Sequence, residues 1–363
     1  MMPTLRVSAL ALLLFSCRIT PDLEGNGYIE CSADDACIPS GRICESGLCT
    51  PPTWWKPEYG FRRQLTLTNE SGFDLPAGFT VHVSVGAEPR PLKPDEVAPT
   101  ARFVIMDRAV RAQAEVPVTI DVLGPTAFDV VFQLPVAVKA GATWADLWVY
   151  SGAKEGTAVR TDERKKVYPL DDTFEEDLID DAAWNTVGPV TLPPGDGEVI
   201  IQRGGYMWST AALPASPGIQ LTALFTVTPV DSCDGLTIGL VDNNTQGIGI
   251  PYVVALATGT GDISIEALRG ETLPTEPQAI NGIGLKTATQ RLDLVVSGAN
   301  VRATLDGQTI ATFVMREPIE NNLRAHFFVE GATCTVTLKQ ARMRAAVDPD
   351  LKVTLGNKIT RPP

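Results

Sequence analysis

Along most of this chain apolar and polar residues alternate with period two, and no long stretch carries the 3.6-residue period of an amphipathic helix. In 61–68 (FRRQLTLT) Phe61, Leu65 and Leu67 fall on one face, and in 79–85 (FTVHVSV) Phe79, Val81, Val83 and Val85 do the same. Each segment therefore reads as a strand with one face buried and the other wet. Further strands are expected at 102–106, 116–122, 128–134 and 145–150, with Pro and Gly between most of them, as turns require. A second series begins near Asp171. It includes 219–227, where Leu221, Ala223 and Phe225 share a face, and 236–240. The segment LDLVVSGANVRATLDGQTIATFV then reads as three strands joined by turns at Ser297-Gly298 and Asp306-Gly307, and Asp-Gly between alternating strands is a strong hairpin signal. The pattern predicts an all-β chain: two consecutive β-sandwich domains over 54–155 and 171–346, a linker over 156–170 and a C-terminal tail over 347–363.

Alternation fails at the N-terminus. A short, weakly positive stretch precedes the continuous apolar run 7–15 (VSALALLLF), which is followed by Ser16 and Cys17 in the layout of a signal peptide. The run is too short for the ~20 residues of a membrane-spanning helix. Leu14-Phe15-Ser16-Cys17 resembles the lipobox of bacterial lipoproteins. That resemblance implies removal of residues 1–16, acylation at Cys17 and a lipidated tether over 17–30; the other reading is an ordinary signal with an incidental Cys. Several acyl chains at ~0.8 kcal/mol per buried methylene hold a protein at a bilayer essentially permanently. Arg18 stands where a sorting Asp favours the inner membrane in many such lipoproteins, so the expected place is the outer membrane, facing the periplasm or the cell surface.

Of seven Cys, setting Cys17 aside leaves six. Cys31, Cys37, Cys44 and Cys49 crowd a segment, 31–50, with almost no apolar residues, and so small a piece needs disulfides or a metal to hold a shape. The spacings lack CxxC knuckles and no His lies nearby, which favours disulfides over zinc. The segment resembles the Cys-rich modules that follow the lipobox in many surface lipoproteins, a resemblance that implies no activity. Cys233 and Cys334 each open an expected strand and are expected to bridge within the second sandwich, where closing so long a loop contributes about 4 to 5 kcal/mol in the chain-entropy picture.

Charge and composition narrow the function. With 363 residues, 44% of them hydrophobic, the chain can build two cores, and its net charge of -13 argues against nucleic acid or anionic lipid surfaces as partners. In 171–184 (DDTFEEDLIDDAAW) seven acids surround Phe174, Leu178, Ile179 and Trp184; the plain reading is a solvated segment with apolar anchors. Carboxylates are calcium's preferred ligands, but the D-x-D-x-D-G loop is absent, so no metal or other cofactor is expected, calcium being the one candidate. His82 and His326 are the only His. His82 falls on a polar strand face and is expected to be solvated, and no G-x-S-x-G motif accompanies either His, which argues against a Ser-His-Asp hydrolase.

Two longer resemblances remain. YGFRRQLTLTN, RFVIMD, VPVTIDVLG, FDVVFQLP and DLWVYSG resemble, in order, the segments of the bacterial domain of unknown function 2341, whose opening is carried here by Phe61, Arg62 and Arg63 and whose closing strand end by Val149, Tyr150 and Gly152. It implies a surface adhesion-like module without chemistry. The opening DDTFEE…W, the meander and the closing LRAHFFVEGATCTVTLKQARM look like the concanavalin-A-like jelly rolls, including laminin-G-like modules, which implies a fold shared by lectins, glycosidases and spacers. Glycosidases of that fold set acids at alternating positions of one strand. The nearest match is Asp262 and Glu266, with Ser264 in place of the middle acid, so an enzyme is the lesser alternative. Binding of a polysaccharide or another envelope protein is the favoured class. The cluster Tyr206-Met207-Trp208 is the candidate glycan-contacting patch, against the more ordinary reading of Trp208 as a core residue, and Trp54 and Trp55 are expected to pack between the Cys-rich module and the first sandwich.

Overall fold

The computed structural model describes residues 53–361 except 86–91, 108–111, 125–126, 177, 231–232, 234, 243–251, 259–262, 270–271, 280–284, 316–317, 331–333 and 348–350, together with a few residues before 53. Cys17 and Cys31 lie outside the described residues. Of the Cys-rich segment, Ile43–Glu45 pairs with Leu48–Thr50 as a short hairpin, Cys37 is bonded to Cys49, and Cys44 is also disulfide-bonded.

The first sandwich is built from β1 (Tyr59–Thr68), β2 (Thr80–Val85), β3 (Arg102–Asp107), β4 (Ala112–Glu115), β5 (Val118–Gly124), β6 (Ala127–Gln133) and β7 (Thr143–Ala153). Strands β2, β6 and β5 form one sheet in that order, and β1, β7, β3 and β4 run in order through the other. The alternating apolar faces meet between them: Leu65, Leu67, Phe79, Val81, Val83, Val85, Phe103, Phe132 and Leu147 are buried together, as the period-two pattern requires. The two ends of the quoted resemblance lie side by side, with Val149 opposite Arg63, Tyr150 opposite Arg62 and Ser151 opposite Phe61. Gly152 has φ +63°, and a Cβ there would stand 2.5 Å from the Phe61 ring, so the strand end needs glycine. On the outer face of this sheet the buried Arg62 guanidinium lies 4.8 Å from the ring centres of both Trp54 and Trp148, while Trp55 stacks on Tyr59. Trp54 and Trp55 are thus half-buried covers of the sheet.

The second sandwich follows a short helix α1 (Arg164–Val167). Its strands are β8 (Leu170–Asp172), β9 (Trp184–Val187), β10 (Val190–Thr191), β11 (Val199–Ile201), β12 (Tyr206–Ser209), β13 (Leu213–Pro214), β14 (Ile219–Thr228), β15 (Leu236–Asp242), β16 (Tyr252–Thr258), β17 (Ile263–Arg269), β18 (Thr272–Ala279), β19 (Gln290–Ser297), β20 (Asn300–Leu305), β21 (Gln308–Val314), β22 (Asn322–Val329) and β23 (Thr335–Ala345). They form two eight-stranded antiparallel sheets: β10-β11-β23-β14-β19-β20-β21 with β8 on β23, and β9-β12-β22-β15-β16-β17-β18 with β13 on β22. The Asp306-Gly307 turn is present, both residues at positive φ (53° and 79°) as a two-residue hairpin demands. The preceding turn falls one residue later than expected, at Gly298-Ala299, because Ser297 still pairs with Asn300. Cys233 and Cys334 are joined, their Cα atoms 4.7 Å apart. They precede β15 and β23, which belong to opposite sheets, so the bridge ties the sandwich across its core.

Four expectations need correction. The C-terminal segment is no free tail: β24 (Lys352–Thr360) pairs with β1 and extends the first sandwich's five-stranded sheet, while Val347 and Leu351 enter that core. The 156–170 segment is no open linker either. Val167 and Tyr168 are buried with Val131, and Arg164 and Tyr168 join a polar network between the domains. There the Asp121 carboxylate accepts from Arg342 (2.6 Å), Arg164 (3.2 Å) and the Tyr168 hydroxyl. Asp171 accepts from Arg164 (2.9 Å), Gln340 (2.9 Å) and Arg342 (3.1 Å), with its side chain fully buried. Third, the acidic run is in part structural. Beside Asp171, Asp172 takes the Trp184 indole N–H at 2.7 Å, which fixes Trp184 in the core. His82 is half-buried at the same junction, 3.3 Å from Asp129 and beside Tyr168, and is therefore not a freely solvated side chain.

Candidate functional site

The aromatic cluster is delivered by a Gly-Gly corner. Gly204 has φ +76°, and a Cβ on Gly205 would stand 2.7 Å from the Gln202 carbonyl oxygen and 2.9 Å from that of Pro189, so glycine alone lets β12 start there. Alternation then splits the cluster. Met207 points into the core, whereas Tyr206 and Trp208 lie on the outer face of the sheet. Trp208 is half-buried and not part of the core, contrary to the more ordinary expectation.

Strand β22 supplies the rest of the face. Tyr206 is opposite Phe328 and Trp208 opposite His326. The Tyr206 ring lies 4.7 Å from Trp208, 4.9 Å from His326 and 5.8 Å from Phe328. Tyr206 and His326 form a buried lower layer; Trp208, Phe328 and Arg324 are half-buried above and around it. On the other side β9 places the half-buried Asn185 opposite Trp208.

The lower layer is polar chemistry in apolar surroundings. Among the described residues neither His326 ring nitrogen has a hydrogen-bond partner, nor has the Tyr206 hydroxyl. Burial holds His326 neutral, with its pKa down to about 3, and pushes Tyr206 up to about 12, only partly opposed by the Arg324 charge. A His that stays neutral and a Tyr that stays protonated hold the upper rings as a rigid floor. A fixed indole flanked by an amide and a guanidinium can stack on the C–H face of a sugar ring and hydrogen-bond its hydroxyls.

Other candidates are not gathered here. Asp262 lies outside the described residues; Glu266, whose backbone pairs with Ala255, is on β17, four strands from β12 in the sheet order. Among the described residues no cluster of three or more His, Cys, Asp or Glu is placed to hold a metal, and no helix is long and apolar enough to cross a membrane. The sequence pattern points to Tyr206 and Trp208 but not to His326, Phe328, Arg324 and Asn185. The alternation of LRAHFFV marks Arg324, His326 and Phe328 as one face; only the pairing of β22 with β12 shows what that face meets.

No protein-family model and no curated protein matches the chain. Among solved structures it is similar to the carbohydrate recognition domain of Emp47p, with 9% identity and a TM-score of 0.39 over 49% of this chain and 96% of that one. It is similar to the exoplasmic/lumenal domain of VIP36 in its Ca2+/Man3GlcNAc-bound form, with 11% identity and a TM-score of 0.36 over 44% of this chain and 84% of that one. A third is the carbohydrate esterase vb_24B_21 of Shiga toxin-encoding bacteriophage phi24B, with 15% identity and a TM-score of 0.37 over 49% of this chain and 98% of that one.

Proposed function

We propose that the second sandwich is a non-catalytic glycan-binding module, and that the chain is a bacterial outer-membrane lipoprotein anchored through Cys17. The observation that carries the binding half is Trp208, a half-buried indole on the outer face of a sheet, fixed over a buried Tyr206–His326 layer and flanked by Asn185 and Arg324. A tryptophan in this setting offers a large apolar surface at small entropic cost, because its neighbours already hold the ring. The anchor rests on the lipobox-like Leu14-Phe15-Ser16-Cys17. The test of binding is a glycan array probed with the soluble form that begins after Cys17, with and without calcium. Saturable retention of a defined set of glycans without their cleavage supports this function; no retention in either condition, or hydrolysis of the retained glycan, overturns it.

A further inference from the structure

At one end of the second sandwich several connections between its two sheets converge. The segment 188–189 leads from β9 to β10, the corner 202–205 from β11 to β12, the stretch holding Cys233 from β14 to β15, and the stretch holding Cys334 from β22 to β23. The strand registers bring their ends together: Val187 is opposite Tyr206, Tyr206 opposite Phe328, Leu236 opposite Val329, Ile201 opposite Val336 and Thr228 opposite Thr335.

The corner that delivers Tyr206 and Trp208 is gripped from both sides of the disulfide. On the Cys233 side, Gly204 N–H donates to the Val329 carbonyl (2.7 Å) and Val329 N–H to that of Gly205 (3.1 Å). Val329 lies opposite Leu236, just after Cys233, and Glu330 N–H donates to the Gly235 carbonyl (2.9 Å). On the Cys334 side, Ile201 ends β11 opposite Val336, just after Cys334, and Gln202 N–H donates to the Pro189 carbonyl (3.1 Å). The buried bond between Cys233 and Cys334 therefore joins the two sheets where the corner crosses from one to the other. Without it the sheets can spread at this end, and the corner moves with them. A recognition face loosened by even ~1 Å loses affinity, because the ligand must then reorder it.

We infer, on the glycan-binding reading of the Trp208 face, that Cys233 and Cys334 are positioning residues of that site. Their disulfide holds Tyr206, Trp208 and Phe328 in the arrangement that a glycan meets, and binding requires the oxidised pair. The test compares Cys233→Ala/Cys334→Ala with Val301→Ala, a core truncation at the opposite end, where Val301 pairs with Val296 and Val296 with Ile219. Cys233→Val/Cys334→Ala, which restores apolar volume without the bond, is the second variant and should behave like the first. Relative to the β20 amides, hydrogen exchange at Gly204, Gly205 and Val329 should accelerate in the two variants that lack the bond and not in Val301→Ala. Affinity for the best-retained glycan of the array, measured well below each melting temperature, should fall by roughly tenfold or more without the bond and stay at the parent value in Val301→Ala. Parent exchange rates at the corner without the bond, parent glycan affinity without the bond, or an equal loss of affinity in Val301→Ala would each overturn the inference. A chain that retains no glycan overturns the binding proposal instead, and the exchange rates still decide whether the disulfide holds the corner.

Discussion

Tyr206 and His326 face each other across neighbouring strands with ring centres 4.9 Å apart, each about 1% exposed, and neither side chain finds a hydrogen-bond partner among the described residues. The pair makes the floor of the candidate site dependent on a neutral imidazole. In the unfolded chain His326 takes up a proton near pH 6.5, while in the folded chain burial holds its pKa down to about 3. The unfolded state therefore binds more protons across that window, and stability is lost there as the pH is lowered, by up to about 1.4 kcal/mol per pH unit from this residue. His326→Phe should lower the melting temperature little at pH 7.5 and lose distinctly less than the unaltered protein on going to pH 4.5. Equal losses in the two proteins would show that His326 is already hydrated or paired.

The domain junction should behave as one cooperative unit with the two sandwiches. The Asp121 and Arg342 side chains are 5% and 9% exposed, and Arg342 also holds the buried Asp171. Removing one partner leaves a buried charge uncompensated, which typically costs about 3 to 5 kcal/mol. Arg342→Met is expected to turn a single calorimetric transition into two, as the sandwiches uncouple. A single transition at an unchanged temperature would mean that the network contributes little to holding them together.

Much of this architecture was legible before the structure, and the exceptions share a cause. Period-two alternation marks the faces of β1, β2 and β14 because each sets an apolar core face against a more polar one, although on β14 the polar Gln220 and Thr222 are buried too, and Asp306-Gly307 marks its hairpin because few residues tolerate two consecutive positive φ values. Both are local signals. The docking of β24 on β1 is a pairing between residues nearly 300 positions apart; LKVTLGNKIT alternates like any strand and carries no mark of its partner. Asp171 and Arg342 likewise look like ordinary solvated charges until β8 is laid against β23. Trp208 was recognised as a candidate, but its side of the sheet was settled only once Met207 was seen in the core.

The return of β24 gives the C-terminal segment a structural task. Truncation after Leu351 should expose the edge of β1, remove the partly buried Val353 and Leu355 from the core, and lower the stability of the first sandwich by a few kcal/mol. Hydrogen exchange should then accelerate at the β1 amides that face β24 and much less in β15 or β22. Unchanged protection of β1 would make β24 a dispensable edge.

Anchoring is tested separately from binding. If Cys17 carries the acyl chains, Cys17→Ser should move the protein from the detergent phase to the soluble or secreted fraction in its bacterial host. An unchanged distribution would remove the lipid anchor from the account and leave the binding proposal untouched.

The most direct measurement is the affinity of Trp208→Ala for the best-retained glycan of the array, taken together with its melting temperature. Because Trp208 is half-buried on the outer face, its truncation should abolish glycan binding while shifting the melting temperature by only a few degrees. A variant that keeps the parent affinity, or one destabilised by the roughly 3 to 5 kcal/mol typical of losing a core Trp with binding lost only through unfolding, would contradict the proposal that this face binds glycans.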